Sequence, residues 1–156
     1  MLSLSYNIKA TLMSYTYEYP RPAVTVDCLV FLSTQATTKI LLIQRKNPPF
    51  KNKWALPGGF IDIDEPLERA AYRELKEETG ISDIELQQFR TFGKPGRDPR
   101  GRTISIVYYG FIKNQNEQAR AGSDARNAQW FDLNMLPDLA FDHDNILKLA
   151  KGELPL

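Results

Sequence analysis

Gly59-Phe60-Ile61-Asp62-Ile63-Asp64-Glu65-Pro66-Leu67-Glu68-Arg69-Ala70-Ala71-Tyr72-Arg73-Glu74-Leu75-Lys76-Glu77-Glu78-Thr79-Gly80-Ile81 is the stretch that decides the fold of this chain. It reads as a glycine turn followed by a helix with carboxylates on one face. At about 100° per residue, Glu74, Glu77 and Glu78 fall on one stripe at i, i+3 and i+4. Like charges at that spacing repel, each pair costing roughly 0.2–0.5 kcal/mol. Three acids in one helical turn ordinarily form a solvated face. A hard divalent ion between them, Mg²⁺ or Mn²⁺, would turn the repulsion into ligation.

The spacing of the whole run goes further than the acidic stripe. It reads Gly, five residues, Glu, seven residues, Arg-Glu-aliphatic, one residue, Glu-Glu, one residue, Gly-aliphatic. Gly59, Glu65, Arg73, Glu74, Leu75, Glu77, Glu78, Gly80 and Ile81 meet every defined position. With each residue type at roughly 5–10%, a chance match is on the order of one in 10⁹ per starting point. The chain resembles the Nudix hydrolase superfamily.

A chain of 156 residues suits a single domain spanning 1–156 with a core of its own. A net charge of +1 gives no electrostatic footprint for nucleic acid. The one cysteine, Cys28, has no internal disulfide partner and sits in an apolar run, which suits a buried thiol in a reducing compartment. No apolar stretch is long enough for a membrane span, and Lys9 interrupts the start in a way a signal peptide does not. The expected location is cytoplasmic.

Ala23 to Leu32 is β-branched and continuous, the pattern of a buried strand. Lys39 to Lys46 reads as a second strand, and Asn47 to Lys53 as a loop. Trp54 to Asp62 is extended and broken by Pro57-Gly58-Gly59. Asp64 or Glu65 opens the helix, with Pro66 in its first turn and Gly80 ending it. Ala71, Tyr72 and Leu75 form the stripe expected to face the sheet. Ile84 to Phe92, Thr103 to Ile112 and Ala128 to Phe131 read as strands. Asp142 is placed to cap a last helix running to about Lys151, with Ile146, Leu147 and Ala150 inward. Strands interleaved with two helices imply an α/β layered domain. The resemblance sharpens this to a Nudix-type α/β/α sandwich around a mixed β-sheet. Residues 1–20 are an N-terminal extension in this reading. Met13 is an alternative initiator, and the alternation of Leu2, Leu4 and Tyr6 is the rival reading of an edge strand.

The resemblance implies a metal-dependent enzyme cleaving a nucleoside diphosphate linked to another group. It assigns Glu74 and Glu78 as ligands of Mg²⁺, or Mn²⁺ in its place. Glu77 is a third ligand, and the Gly59 carbonyl completes the site. Glu77, Glu78 and Arg73 are the catalytic residues of this reading, with Arg73 orienting a carboxylate and Glu65 bracing the loop against the helix. The general base stays open between Glu77, Glu117 and Asp124.

The second informative segment is Phe92-Gly93-Lys94-Pro95-Gly96-Arg97-Asp98-Pro99-Arg100-Gly101-Arg102. Guanidinium forks suit phosphate and ribose oxygens, so Arg97, Asp98, Arg100 and Arg102 are the substrate-binding candidates. This loop, with Leu139-Ala140-Phe141-Asp142-His143-Asp144, is similar to elements of the ADP-ribose pyrophosphatases and related NAD-metabolism regulators. His143 reads as a helix-start imidazole, or else as a substrate contact. Tyr108, Tyr109, Trp130 and Phe131 read as core.

The leading expectation is an ADP-ribose pyrophosphatase giving AMP and ribose 5-phosphate. Two rivals stand beside it: a Nudix hydrolase of another nucleotide, and an ADP-ribose-sensing regulator with little catalysis. The intact carboxylates, and an end at Leu156 with no room for a winged helix, favour the enzyme. The expected partner is a small nucleotide, with no nucleic acid and no membrane. A homodimer is an expectation of the resemblance alone.

Overall fold

The computed structural model describes residues 15–112 and 125–156. Residues 1–14, with the alternatives for Met13 and the alternating leucines, lie outside them, as do Glu117 and Asp124. The described elements are β1 (Ala23–Ser33), β2 (Thr38–Arg45), β3 (Trp54–Ala55), β4 (Gly58–Phe60), α1 (Leu67–Thr79), β5 (Gln87–Phe92), β6 (Thr103–Phe111), β7 (Ala125–Asp132) and α2 (His143–Glu153).

β1 is the spine. It pairs in parallel with β6 from Ala23↔Thr103 to Phe31↔Phe111. Its other edge is shared, antiparallel, by β2 near Ser33 and by β4 near Val26. The sheet runs β3-β2-β1-β6-β5, with β7 antiparallel on β2. A parallel pair needs a long crossover, and α1 lies within the one between β1 and β6. Successive side chains of β1 point to opposite faces. Val26, Cys28 and Val30 meet Ala70, Ala71 and Leu75 of α1. Leu29 and Phe31 meet Ile146, Leu147 and Ala150 of α2. Helices cover both faces, which is why β1 is continuously apolar from Cys28 to Leu32. This is the expected α/β/α sandwich with a mixed sheet.

Three local expectations change. Pro66 is the residue before α1, with extended backbone, and the helix begins at Leu67. Tyr72 does not face the sheet: it is exposed, and its hydroxyl accepts the Leu86 N–H at 3.0 Å. Ala70 takes the inward position instead. The Asp142 side chain makes no capping bond. Gly80 ends α1 as expected, at φ 76°, with its N–H on the Lys76 carbonyl.

Leu75 is fully buried between α1 and the sheet. Leu75→Ala should cost about 2–5 kcal/mol, read as a lowered urea midpoint. Leu149→Ala, on the exposed side of α2, should move the midpoint far less.

Candidate functional site

The Pro57-Gly58-Gly59 turn leads from β3 into β4, which pairs with β1, and its glycines lie against Glu74 and Glu78 of α1. A Cβ at Gly58 would collide with the Val26 carbonyl and Asp27. A Cβ at Gly59 would lie 2.5 Å from Glu74 Oε1. Both positions require glycine because carbonyl and carboxylate oxygens occupy that space. Glu78 Oε2 accepts the Gly58 N–H at 2.8 Å. Two carboxylates one helical turn apart are thus seated on consecutive glycines. Glu78 is buried, not part of an exposed cluster as its charge suggested, because the turn folds over it.

Arg73 organises the acids. Its Nε and Nη2 each donate at 2.8 Å to one oxygen of Glu65. Its Nη1 donates to Glu74 at 2.7 Å and to Glu77 at 3.3 Å, and Nη2 also reaches the Phe60 carbonyl at 3.1 Å. The Glu65 fork, with Glu74 behind it, raises the Arg73 pKa although burial opposes this. The same fork lowers the Glu65 pKa. Glu65 ties the loop to the helix through Arg73, and the i, i+4 reach from Arg73 to Glu77 that the spacing allowed is made. Glu77 is half exposed at the rim.

Among the described residues, no three acidic, histidine or cysteine side chains enclose an ion as they stand. Arg73 draws Glu74 and Glu77 to itself. The donor set nevertheless fits a hard divalent ion. It is all oxygen, and the Glu74 carboxylate lies against the Gly59 backbone in space a Cβ would fill. Mg²⁺ is typically bound through one or two carboxylates plus water and substrate phosphates rather than a closed protein cage.

Beside this turn lies a small cavity lined by Asp27, Arg45, Gly58, Gly59, Arg97, Asp98, Arg100, Phe141 and His143, among others. The structure therefore brings Arg97, Asp98 and Arg100 to the glycine turn. Arg102 is not on that wall: it is exposed and donates to the Gly93 carbonyl at 2.6 Å. Arg97 is not a free loop arginine, since its side chain is only 4% exposed and forks onto Asp142 at 2.6 and 3.0 Å. That fork is what takes Asp142 away from capping α2. Arg100 forks onto Asp98 and lies over Phe60 and Phe141. Burial opposes the Asp98 charge, but the Arg100 hydrogen bonds outweigh it and leave the pKa lowered.

His143 is buried. Its Nδ1 accepts the Leu56 N–H at 3.0 Å, and Nε2 lies 3.6 Å from Asp27 Oδ1. Burial lowers its pKa despite Asp27, so the neutral ring braces the strand leading into the turn. Asp27 also accepts a short hydrogen bond from Ser105 Oγ. Cys28 is buried, and burial raises its pKa. The sequence reading passed over Asp27, Ser105 and Arg45. Each stands inside a strand pattern with no motif around it.

Arg97→Ala should lower stability by roughly 1.5–3 kcal/mol, because it strips a charge-assisted fork from Asp142. Arg102→Ala should stay within about 0.5 kcal/mol, as exposed substitutions do. Urea midpoints of the two variants compare them directly. A lowered carboxylate pKa contributes stability that is present above the unfolded value and lost as pH falls through the folded one. For Asp98 the ordinary value is 3.8 and the folded value lies below it. Stability should hold from neutral pH down to about pH 5 and fall on further acidification. Asp98→Asn should show a shallower fall over the same pH series.

A NUDIX domain model matches residues 21–150 of the chain. Over 130 residues the chain is 47% identical to an ADP-ribose pyrophosphatase of Methanocaldococcus jannaschii, covering 83% of this chain and 73% of that protein. It is 40% identical over 141 residues to the ADPR responsive transcriptional repressor NtrR of Acinetobacter baylyi, covering 88% of this chain and 56% of the repressor. The chain thus spans little more than half the length of that relative. The solved NUDIX domain of Shewanella oneidensis NrtR, complexed with ADP ribose, superposes with a TM-score of 0.80 at 32% identity over 87% of this chain and 90% of that one. With the glycine turn, the arginine-braced carboxylates and the sandwich all in place, this chain belongs to the Nudix family.

Proposed function

We propose that this protein hydrolyses ADP-ribose to AMP and ribose 5-phosphate, using a divalent cation, with residues 1–156 forming a single Nudix domain. The observation that carries the reading is a juxtaposition. The arginine-rich loop and the Phe141–His143 segment line one cavity with Gly58 and Gly59. A phosphate site and its neighbouring recognition groups are thereby adjacent. The similarity to an archaeal ADP-ribose pyrophosphatase supports the same substrate.

In this reading Glu74 and Glu78 hold the ion with the Gly59 carbonyl, and Glu77 joins them at the rim. Bound there, a divalent ion neutralises phosphate oxygens and acidifies water. Arg73 keeps Glu74 and Glu77 oriented, and Glu65 keeps Arg73 in place. Among the described residues, Glu77, half exposed and held by Arg73, is the candidate proton acceptor. Arg100 and Asp98 shape the substrate side of the cavity.

A second reading shares the ligand and not the turnover. The similarity to the repressor NtrR, and to a Nudix domain complexed with ADP ribose, favours an ADP-ribose sensor. A nucleotide panel with Mg²⁺ or Mn²⁺, scored for released AMP, separates the two. ADP-ribose should give the highest kcat/KM. Glu78→Gln should cut turnover by about 10²-fold or more, while its carboxamide oxygen still accepts the Gly58 N–H and the fold survives. Tight ADP-ribose binding without AMP release would establish the sensor. Faster release from a nucleoside triphosphate would replace ADP-ribose as the substrate.

A further inference from the structure

The arginines of the Phe92–Arg102 loop are already engaged by this protein's own groups. Arg97 holds Asp142, Arg100 holds Asp98, and Arg102 holds the Gly93 carbonyl. Another guanidinium reaches the same cavity from the end of β2. Arg45 is half-buried there. Its Nε donates to the Pro49 carbonyl at 2.9 Å and its Nη2 to the Asn47 carbonyl at 3.5 Å. Neither acceptor carries a charge. Among the described residues Arg45 forms no salt bridge.

Its neighbours make the imbalance sharper. The Arg45 guanidinium carbon lies 4.8 Å from the centre of the Phe141 ring, and that of Arg100 lies 5.2 Å from the same centre. Two cations share one aromatic ring. Burial first, and Arg100 next, push the Arg45 pKa down, and they outweigh the opposing pull of Glu78, Asp98 and Asp27, none of which pairs with it. A second cation at such short range is a cost that a bound anion would remove. Phe141 itself has φ 56°, a region that non-glycine residues enter at a cost. Its ring is pinned by Phe50 at 4.9 Å and His143 at 5.3 Å between centroids. Strain of this kind persists only where the surroundings over-determine it, and it clusters at ligand sites. The cavity measures about 50 Å³, on the order of three to four waters. That is room for a phosphoryl group.

We propose that Arg45 binds non-bridging phosphate oxygens of the substrate in this cavity, beside Gly58 and Gly59, with Phe141 setting the angle of its guanidinium. The inference rests on the reading of this cavity as the seat of a nucleoside diphosphate's phosphates. It does not depend on which group is linked to them.

The test titrates inorganic pyrophosphate into the full chain by calorimetry, with Mg²⁺ present and again in EDTA, and the comparisons below are made with Mg²⁺. Arg45→Gln should weaken pyrophosphate binding about 10- to 100-fold, the loss of one charge-assisted contact. Arg45→Lys, which keeps the charge and loses the fork, should fall between the two. Arg90→Ala, a surface pair with Glu153, should bind as the parent does. On the unmutated protein, pyrophosphate should protect Arg45 from phenylglyoxal, mapped by mass spectrometry, while Arg90 labels equally with and without it. Should Arg45→Gln fail to fold, the labelling decides. Parent-like affinity in a folded Arg45→Gln, equal labelling of Arg45, or no pyrophosphate binding by the parent overturns the inference. A parent that binds pyrophosphate through Arg45 yet releases no AMP from ADP-ribose sinks the activity reading and leaves this one standing.

Discussion

One guanidinium makes the acidic helix tenable. Arg73 donates to Glu65, Glu74, Glu77 and the Phe60 carbonyl. Without a cation at that point, the carboxylates on one stripe of α1 would repel, and the turn before the helix would have nothing to lean on. With it, the end of β4, the connecting loop and the first turns of α1 become one unit. The close seat of Glu74 on Gly59 follows from this. A carboxylate held by a fork can be pressed against backbone where a freely rotating one would swing to water.

The opposite wall is built by a different network with the same purpose. α2 starts where three groups converge: Asp142 is taken by Arg97, His143 accepts the Leu56 N–H, and Asp27 faces the imidazole from β1. Ser105 of β6 completes the set through Asp27. These bonds join β1, β6, the strand into the glycine turn, the arginine loop and the start of α2. Buried polar groups of this kind are costly when unpaired. Their pairing therefore holds the loop in register with the turn. The cavity between them is lined by the glycine turn and by Arg45, Arg97 and Arg100, with Asp27 and Asp98 among the guanidiniums.

Much of this was legible in one dimension. The box spacing gave away the helix, its glycine stop, the reach from Arg73 to Glu77, and the family; the fork from Arg73 to Glu65 came only with the structure. The largely apolar run from Ala23 to Leu32 implied a buried strand, and both helices were placed within a few residues. Local pattern carries this information because helix periodicity, glycine at positive φ and i, i+4 reach are properties of short segments. The errors were also local. Tyr72 was placed inward because it lies beside Ala71 and Leu75, although its hydroxyl finds the Leu86 N–H across the loop.

What only the tertiary structure decided is which charges meet. Arg97 and Asp142 are 45 positions apart, and so the arginine that looked exposed is buried while the aspartate that looked like a cap is not one. Glu78 became buried because a turn 20 residues earlier folds over it. Arg45 reached the cavity because β2 ends there, something no motif announces. Sequence determines which residues share a helix face or a strand edge, since bond geometry fixes those neighbours within a few residues. Which guanidinium is neutralised and which is left to face the cavity depends on contacts between distant segments, and those exist only once the sheet and its two helices have closed around β1.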